Sequence, residues 1–92
     1  MLVFQIHIGF AIGDKGTGKL WAIAVLPDHT GKGVGSRLLS TVEEWLFEAG
    51  CTRLWLTTVI DTKLKAYSFY LEHGWRDDKI VNGNRYMVKK KV

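Results

Sequence analysis

From Val34 onward the apolar residues Val34, Leu38, Leu39, Val42, Trp45, Leu46 and Ala49 recur at three- and four-residue spacing, while Arg37, Glu43, Glu44 and Glu48 are kept off that stripe. This is the period of an amphipathic helix, and Gly50 is placed as its C-terminal cap. Two apolar runs bracket it: Leu20–Leu26, stopped by Pro27, and Arg53–Ile60 with Leu54, Trp55, Leu56, Val59 and Ile60. Both read as strands, and a strand, a helix and a strand in that order imply a right-handed crossover.

The flanks complete the plan. Leu2–Ile12 alternates Gln5 and His7 against Val3, Phe4, Ile6 and Ile8, which reads as a single strand. The turn Gly13-Asp14-Lys15-Gly16-Thr17-Gly18 then pairs it antiparallel with Leu20–Leu26. Downstream, Asp61 or Thr62 caps a helix over Lys63–His73 closed by Gly74, and two short strands flank Asn82-Gly83-Asn84. The expected order is ββαβαββ, an α+β (α/β) fold with a mixed, mainly antiparallel sheet flanked by two helices. At 92 residues the chain holds one core, so a single domain over 1–92 is expected.

Composition narrows the function classes. A formal charge of +4 favours an anionic ligand without demanding nucleic acid, and Lys89-Lys90-Lys91 has no accompanying aromatic and basic stripe. No apolar run approaches the roughly 20 residues of a membrane span, and Met1–Ile12 lacks the marks of a signal peptide. A soluble cytoplasmic protein is the expectation. The single Cys51 cannot form an intramolecular disulfide and is read as a buried core thiol, with Trp21, Trp45, Trp55 and Trp75 also packing in the core. His7, His29, His73 and Cys51 lack a metal-ligand spacing, so no metal is expected. Asp77 and Asp78 read as a solvated pair.

The informative stretch is Val25-Leu26-Pro27-Asp28-His29-Thr30-Gly31-Lys32-Gly33-Val34-Gly35-Ser36-Arg37, where a strand ends, a glycine-rich turn follows and a long helix begins. The first turn of a helix leaves N–H groups without intrahelical partners and carries about half a positive charge. Glycines at 31, 33 and 35 let a phosphate approach the backbone, and Lys32 and Arg37 add charge. Neither a Gly-x4-Gly-Lys-Ser/Thr loop nor the dinucleotide-binding glycine fingerprint is present.

At this point the sequence resembles the Gcn5-related N-acetyltransferase (GNAT) family. Its Arg/Gln-x-x-Gly-x-Gly/Ala loop after a Val-x-Pro strand end is similar to Val25-x-Pro27 followed by Thr30-Gly31-Lys32-Gly33-Val34-Gly35. Its Asn-x-x-Ala-x-x-Phe-Tyr-x-x-x-Gly-Phe signature resembles Lys63-x-x-Ala66-x-x-Phe69-Tyr70-x-x-x-Gly74-Trp75. Thr30 stands in place of Arg or Gln, and Lys63 in place of Asn. The resemblance covers roughly Leu20–Val92 and implies a short form, since the family has a strand and two helices before the hairpin.

What the resemblance implies is transfer of an acetyl group from acetyl-coenzyme A to a primary amine of a small molecule or protein by direct attack. It places the cofactor against Ile23, Ala24, Val25, Thr30, Gly31, Lys32, Gly33, Val34, Gly35, Ser36 and Lys63, with Tyr70 as the acid that protonates the departing thiolate. The third strand offers Thr57 and Thr58 where a Glu is common, leaving His7, Asp28, His29 or a water relay as the base. The alternative is a non-catalytic coenzyme A-binding module or a degenerate acetyltransferase domain. The missing helices and the exposed first strand imply a homodimer, with the partner burying Met1–Phe10 and walling the acceptor pocket.

Overall fold

The computed structural model describes residues 2–6, 9–25, 33–59, 63 and 65–91. Its elements are β1 (Leu2–Ile6), β2 (Gly9–Asp14), β3 (Lys19–Val25), α1 (Val34–Glu48), β4 (Arg53–Val59), α2 (Lys65–Glu72), β5 (Arg76–Val81) and β6 (Asn84–Lys90). The six strands form one sheet in the order β1-β2-β3-β4-β6-β5, antiparallel throughout except where β3 meets β4.

The expected fold class holds, with one correction to the order. Leu2–Ile12 is not one strand but two, paired antiparallel from Leu2↔Gly13 to Ile6↔Gly9. Both strands are apolar, and the intervening His7-Ile8 carries none of the Asn-Gly or Gly-rich chemistry that marks a tight hairpin. The apolar run therefore shows no break. Residues 7 and 8 lie outside the described residues, as do the expected caps Asp61 and Thr62.

Strand register sorts the side chains onto two faces. Ala11, Leu20, Leu54, Leu56 and Met87 are buried and pack with Leu38, Leu39, Val42 and Leu46 of α1 and with Trp75. A Cβ on Gly13 would lie 2.7 Å from Val42 Cγ2, so this face of β2 carries small residues to let α1 approach. On the other face Val3, Phe10 and Trp21 are exposed. Of the four tryptophans only Trp75 is fully buried; Trp21, expected in the core, is 51% exposed. A register shift between Ile12 and Gly13 leaves Trp21 without a partner on β2 and takes it out of the alternation. The Lys19 ammonium lies over its ring at 3.5 Å.

Both helices close in the same way. Gly50 N–H donates to Phe47 O and Cys51 N–H to Leu46 O after α1; Gly74 N–H donates to Leu71 O and Trp75 N–H to Tyr70 O after α2. These paired bonds form a Schellman motif at each end, and the Tyr70 and Trp75 rings, 5.9 Å apart, supply the accompanying apolar contact.

Three acidic residues depart from the pattern expected of them. Glu43 sits on the buried stripe of α1, four residues after Leu39. It accepts from Trp75 Nε1 and Lys89 Nζ, both at 2.8 Å, which offset the cost of burying a carboxylate. Asp77 pairs with Arg85 at 3.0 Å and Asp78 with Arg53 at 3.2 Å, so neither is simply solvated. Cys51 is half-buried, its Sγ donating to Lys15 O at 3.4 Å, rather than in the core.

Candidate functional site

β3 and β4 are neighbours with a single registered pair, Lys19↔Trp55. That rung is pinned by Trp55 N–H donating to Gly18 O at 3.1 Å and by the Trp55 indole donating to Thr17 O at 3.0 Å. Gly18 makes this closeness possible: its φ is +77° and a Cβ there would fall 2.7 Å from Arg53 O. Past the rung β3 has no registered partner on the β4 side among the described residues. The far end of β3 opens onto a cleft of about 470 Å3.

The cleft is lined by Ile23, Ala24 and Val25 of β3, by Gly33, Gly35 and Ser36 at the start of α1, and by Lys65, Ala66 and Phe69 of α2. Its size falls in the roughly 300–1,000 Å3 range of small-ligand sites. Six of the residues expected to hold a cofactor thus meet in one place. Val34 and Lys63 are not among its lining residues; Lys63 is exposed in the turn before α2. Thr30, Gly31 and Lys32 lie outside the described residues, as do the candidate bases His7, Asp28 and His29.

The start of α1 fits an anion. Gly33 is its N-cap with φ 78°, and among the described residues no side chain caps the first turn. A Cβ on Gly33 would meet none of the described residues within 4 Å, so the backbone at the helix start is not crowded by them. An uncapped 15-residue helix with its positive end on a cleft is a ready place for a phosphate or pyrophosphate. The fit of coenzyme A to this site rests on that cradle.

Three further lining residues, Lys65, Ala66 and Phe69 of α2, were not among those expected to hold the cofactor, although Ala66 and Phe69 stand in the signature quoted above and Lys65 directly precedes Ala66. Tyr70 does not line the cleft; its ring packs against Phe69 at 5.5 Å and against Trp75. Burial pushes its phenol above the ordinary value near 10. Tyr70 is therefore protonated at neutral pH, as a proton donor must be. Among the described residues no group of His, Cys, Asp and Glu could hold a metal ion, and no helix is long and apolar enough to cross a membrane.

A sequence model of the acetyltransferase (GNAT) family matches residues 5–75. An uncharacterized N-acetyltransferase from Methanocaldococcus jannaschii is 34% identical over 77 residues, covering 80% of this chain and 49% of that protein. Two solved structures share the fold. The PaiA N-acetyltransferase from Thermoplasma acidophilum, crystallised in complex with coenzyme A, superposes with a TM-score of 0.76 at 24% identity over 91% of this chain and 54% of its own. An acetyltransferase from Bacillus cereus gives 0.80 at 22% identity over 98% and 71%. The chain spans about half the length of the Methanocaldococcus and Thermoplasma proteins.

Proposed function

Because the chain belongs to the acetyltransferase (GNAT) family, we propose that it binds acetyl-coenzyme A in the β3–α1–α2 cleft and transfers the acetyl group to a primary amine. The observation that carries this reading is the N-terminus of α1, which no described side chain caps, on a cleft lined by Gly33, Gly35 and Ser36 and by a β3 edge without a registered partner on the β4 side among the described residues. Bound acetyl-coenzyme A supplies an acyl group activated as a thioester.

The chain's own residues divide the remaining work. The free N–H groups at Val34, Gly35 and Ser36 bind the pyrophosphate, aided by Lys32 and, from the turn before α2, Lys63, with Thr30 and Gly31 completing the loop. The unpaired edge of β3 at Ile23–Val25 offers backbone N–H to the thioester oxygen, where charge grows as the amine attacks. The C–N bond forms as the C–S bond breaks, Tyr70 gives its proton to sulfur, and water carries away the proton that the amine loses. Two threonines, Thr57 and Thr58, stand on β4 where a carboxylate base is expected, and this favours the relay.

The acceptor side is formed with a second copy of the chain. β1 is an edge strand, and beside it the sheet face without helices leaves Val3 52%, Phe10 37% and Trp21 51% exposed. Apolar edges of this kind pair with a partner. A homodimer burying this face supplies one wall of the acceptor pocket, and light scattering with size-exclusion chromatography at tens of micromolar protein checks it; a mass near 10 kDa rejects it. The catalytic reading is tested by steady-state acetyl transfer to a panel of amines alongside calorimetric titration with acetyl-coenzyme A. Binding with no turnover on any amine leaves a coenzyme A-binding module, and no binding at millimolar concentration ends both readings.

A further inference from the structure

Ser36 and His73 come from opposite ends of the α1–α2 segment and meet at 2.8 Å, Oγ to Nε2. We infer that they form a proton-operated clasp for a phosphate group at the start of α1, an inference that rests on reading the cleft as a coenzyme A site.

Hydrogen-bond chemistry fixes how the pair works. His73 Nδ1 lies 2.7 Å from Phe69 O. A carbonyl only accepts, so Nδ1 carries a hydrogen in either charge state. In the neutral ring Nε2 is then a lone pair, and the Ser36 hydroxyl spends its hydrogen on it. In the charged ring Nε2 donates to Ser36 Oγ, and the serine hydrogen is turned away from the imidazole. Ser36 is the third residue of α1 and lines the cleft beside the uncapped N–H groups. Protonation of His73 thus adds one hydroxyl donor, and one positive charge behind it, to a site that already favours anions.

Among the described residues, the charged groups nearest the pair are engaged with other partners. Lys89 of β6 donates to His73 O at 2.7 Å and to Glu43 of α1 at 2.8 Å, and Arg76 of β5 donates to Trp75 O at 2.8 Å and Leu71 O at 3.4 Å. These charges are engaged with backbone carbonyls and with one another, and the imidazole's own two nitrogens go to Phe69 O and Ser36 Oγ. The Phe69 ring, 4.5 Å from the imidazole, also lines the cleft and so separates the pair from part of the solvent. No covalent bond changes: the proton taken up with the anion sits on His73 Nε2 and turns the Ser36 hydroxyl outward.

Calorimetric titration with dephospho-coenzyme A tests the clasp, because that probe has no phosphomonoester and its doubly substituted pyrophosphate stays ionised between pH 5.5 and 8. Wild-type affinity should be about tenfold tighter at pH 5.5 than at pH 8, the low end for one charge-assisted hydrogen bond. In Ser36→Ala and His73→Leu the dependence should flatten to within about twofold. Ser36→Ala carries the test by itself should His73→Leu fail to fold. A flat wild-type profile, or a Ser36→Ala protein that keeps the full dependence, overturns the inference. If dephospho-coenzyme A binds at no pH, the cleft reading fails, and the same comparison with sulfate decides the clasp separately: a Ser36-dependent profile retains it, and a flat profile or no binding overturns it.

Discussion

Two neighbouring strand pairs in this sheet are built from similar residues and behave oppositely. β4 and β6 pair over seven registered positions, from Arg53↔Lys90 to Val59↔Asn84, while β4 and β3 share one. The first pair buries Leu54, Leu56 and Met87 at full depth; the second gives up its ladder and gains a cleft with free backbone on its wall. Leaving strand edges unpaired costs stability, and here that cost falls where a ligand has polar groups to meet. The closed pair holds the fold, and the open pair lies where the proposed chemistry is placed.

If that division is right, substitutions on the two sides should separate binding from stability. Gly33→Asp is the largest test: it sets a carboxylate before the free N–H groups of α1 and should remove measurable acetyl-coenzyme A binding by calorimetry. The fold should be nearly unaffected, because Asp tolerates a positive φ at a cost of about 1 kcal/mol and its Cβ meets none of the described residues within 4 Å. Loss of the folded state in this variant would break the comparison. Leu54→Ala, in the closed pair, should cost about 2–5 kcal/mol in denaturant unfolding and leave cofactor affinity within about twofold.

Tyr70→Phe sharpens the boundary between the two regions, since the ring packs with the core face while the hydroxyl is assigned to chemistry. Turnover should fall by about 10²-fold with affinity changed only a few-fold. Unchanged turnover removes Tyr70 from the mechanism, and a parallel loss of binding marks it as structural. The smallest effect is alkaline. Burial raises the Tyr70 phenol, and at Tyr67 the bond to Asp77 does so first. Both keep their protons longer in the folded chain than in the unfolded one. Stability is then intact below about pH 10 and declines as the pH rises through the raised values, so the melting temperature should be lower at pH 11 than at pH 9. An equal or higher melting temperature at pH 11 contradicts the assignment.

Much of this was legible in the residues. The three- and four-residue spacing gave α1 its start at Val34, and Asn82-Gly83 takes positive φ at both positions, 50° and 80°, as a type I′ hairpin turn demands. Gly33, Gly35 and Ser36, singled out for their glycine-rich setting before a helix, line the cleft. Three features stayed hidden for physical reasons. The β1–β2 hairpin lacks turn chemistry. Glu43 is buried because Trp75 and Lys89, far away in sequence, supply its donors. Ser36 and His73 are 37 residues apart, and nothing local in either segment announces that they meet.

The single rung between β3 and β4 also bears on how the chain reaches its native state. β1, β2 and β3 join through short reversals, and β5 and β6 through a tight turn, so each half of the sheet can assemble from contacts near in sequence, which carry little loop-closure entropy. Their union depends on α1 settling across both and on Trp55 reaching Gly18. That step brings distant segments together for a single registered pair and one indole bond, and it should come last. Pulse-labelled amide exchange during refolding would then show the Trp55 N–H gaining protection after the amides of the β2–β3 and β5–β6 hairpins; protection of Trp55 ahead of either hairpin would refute that order.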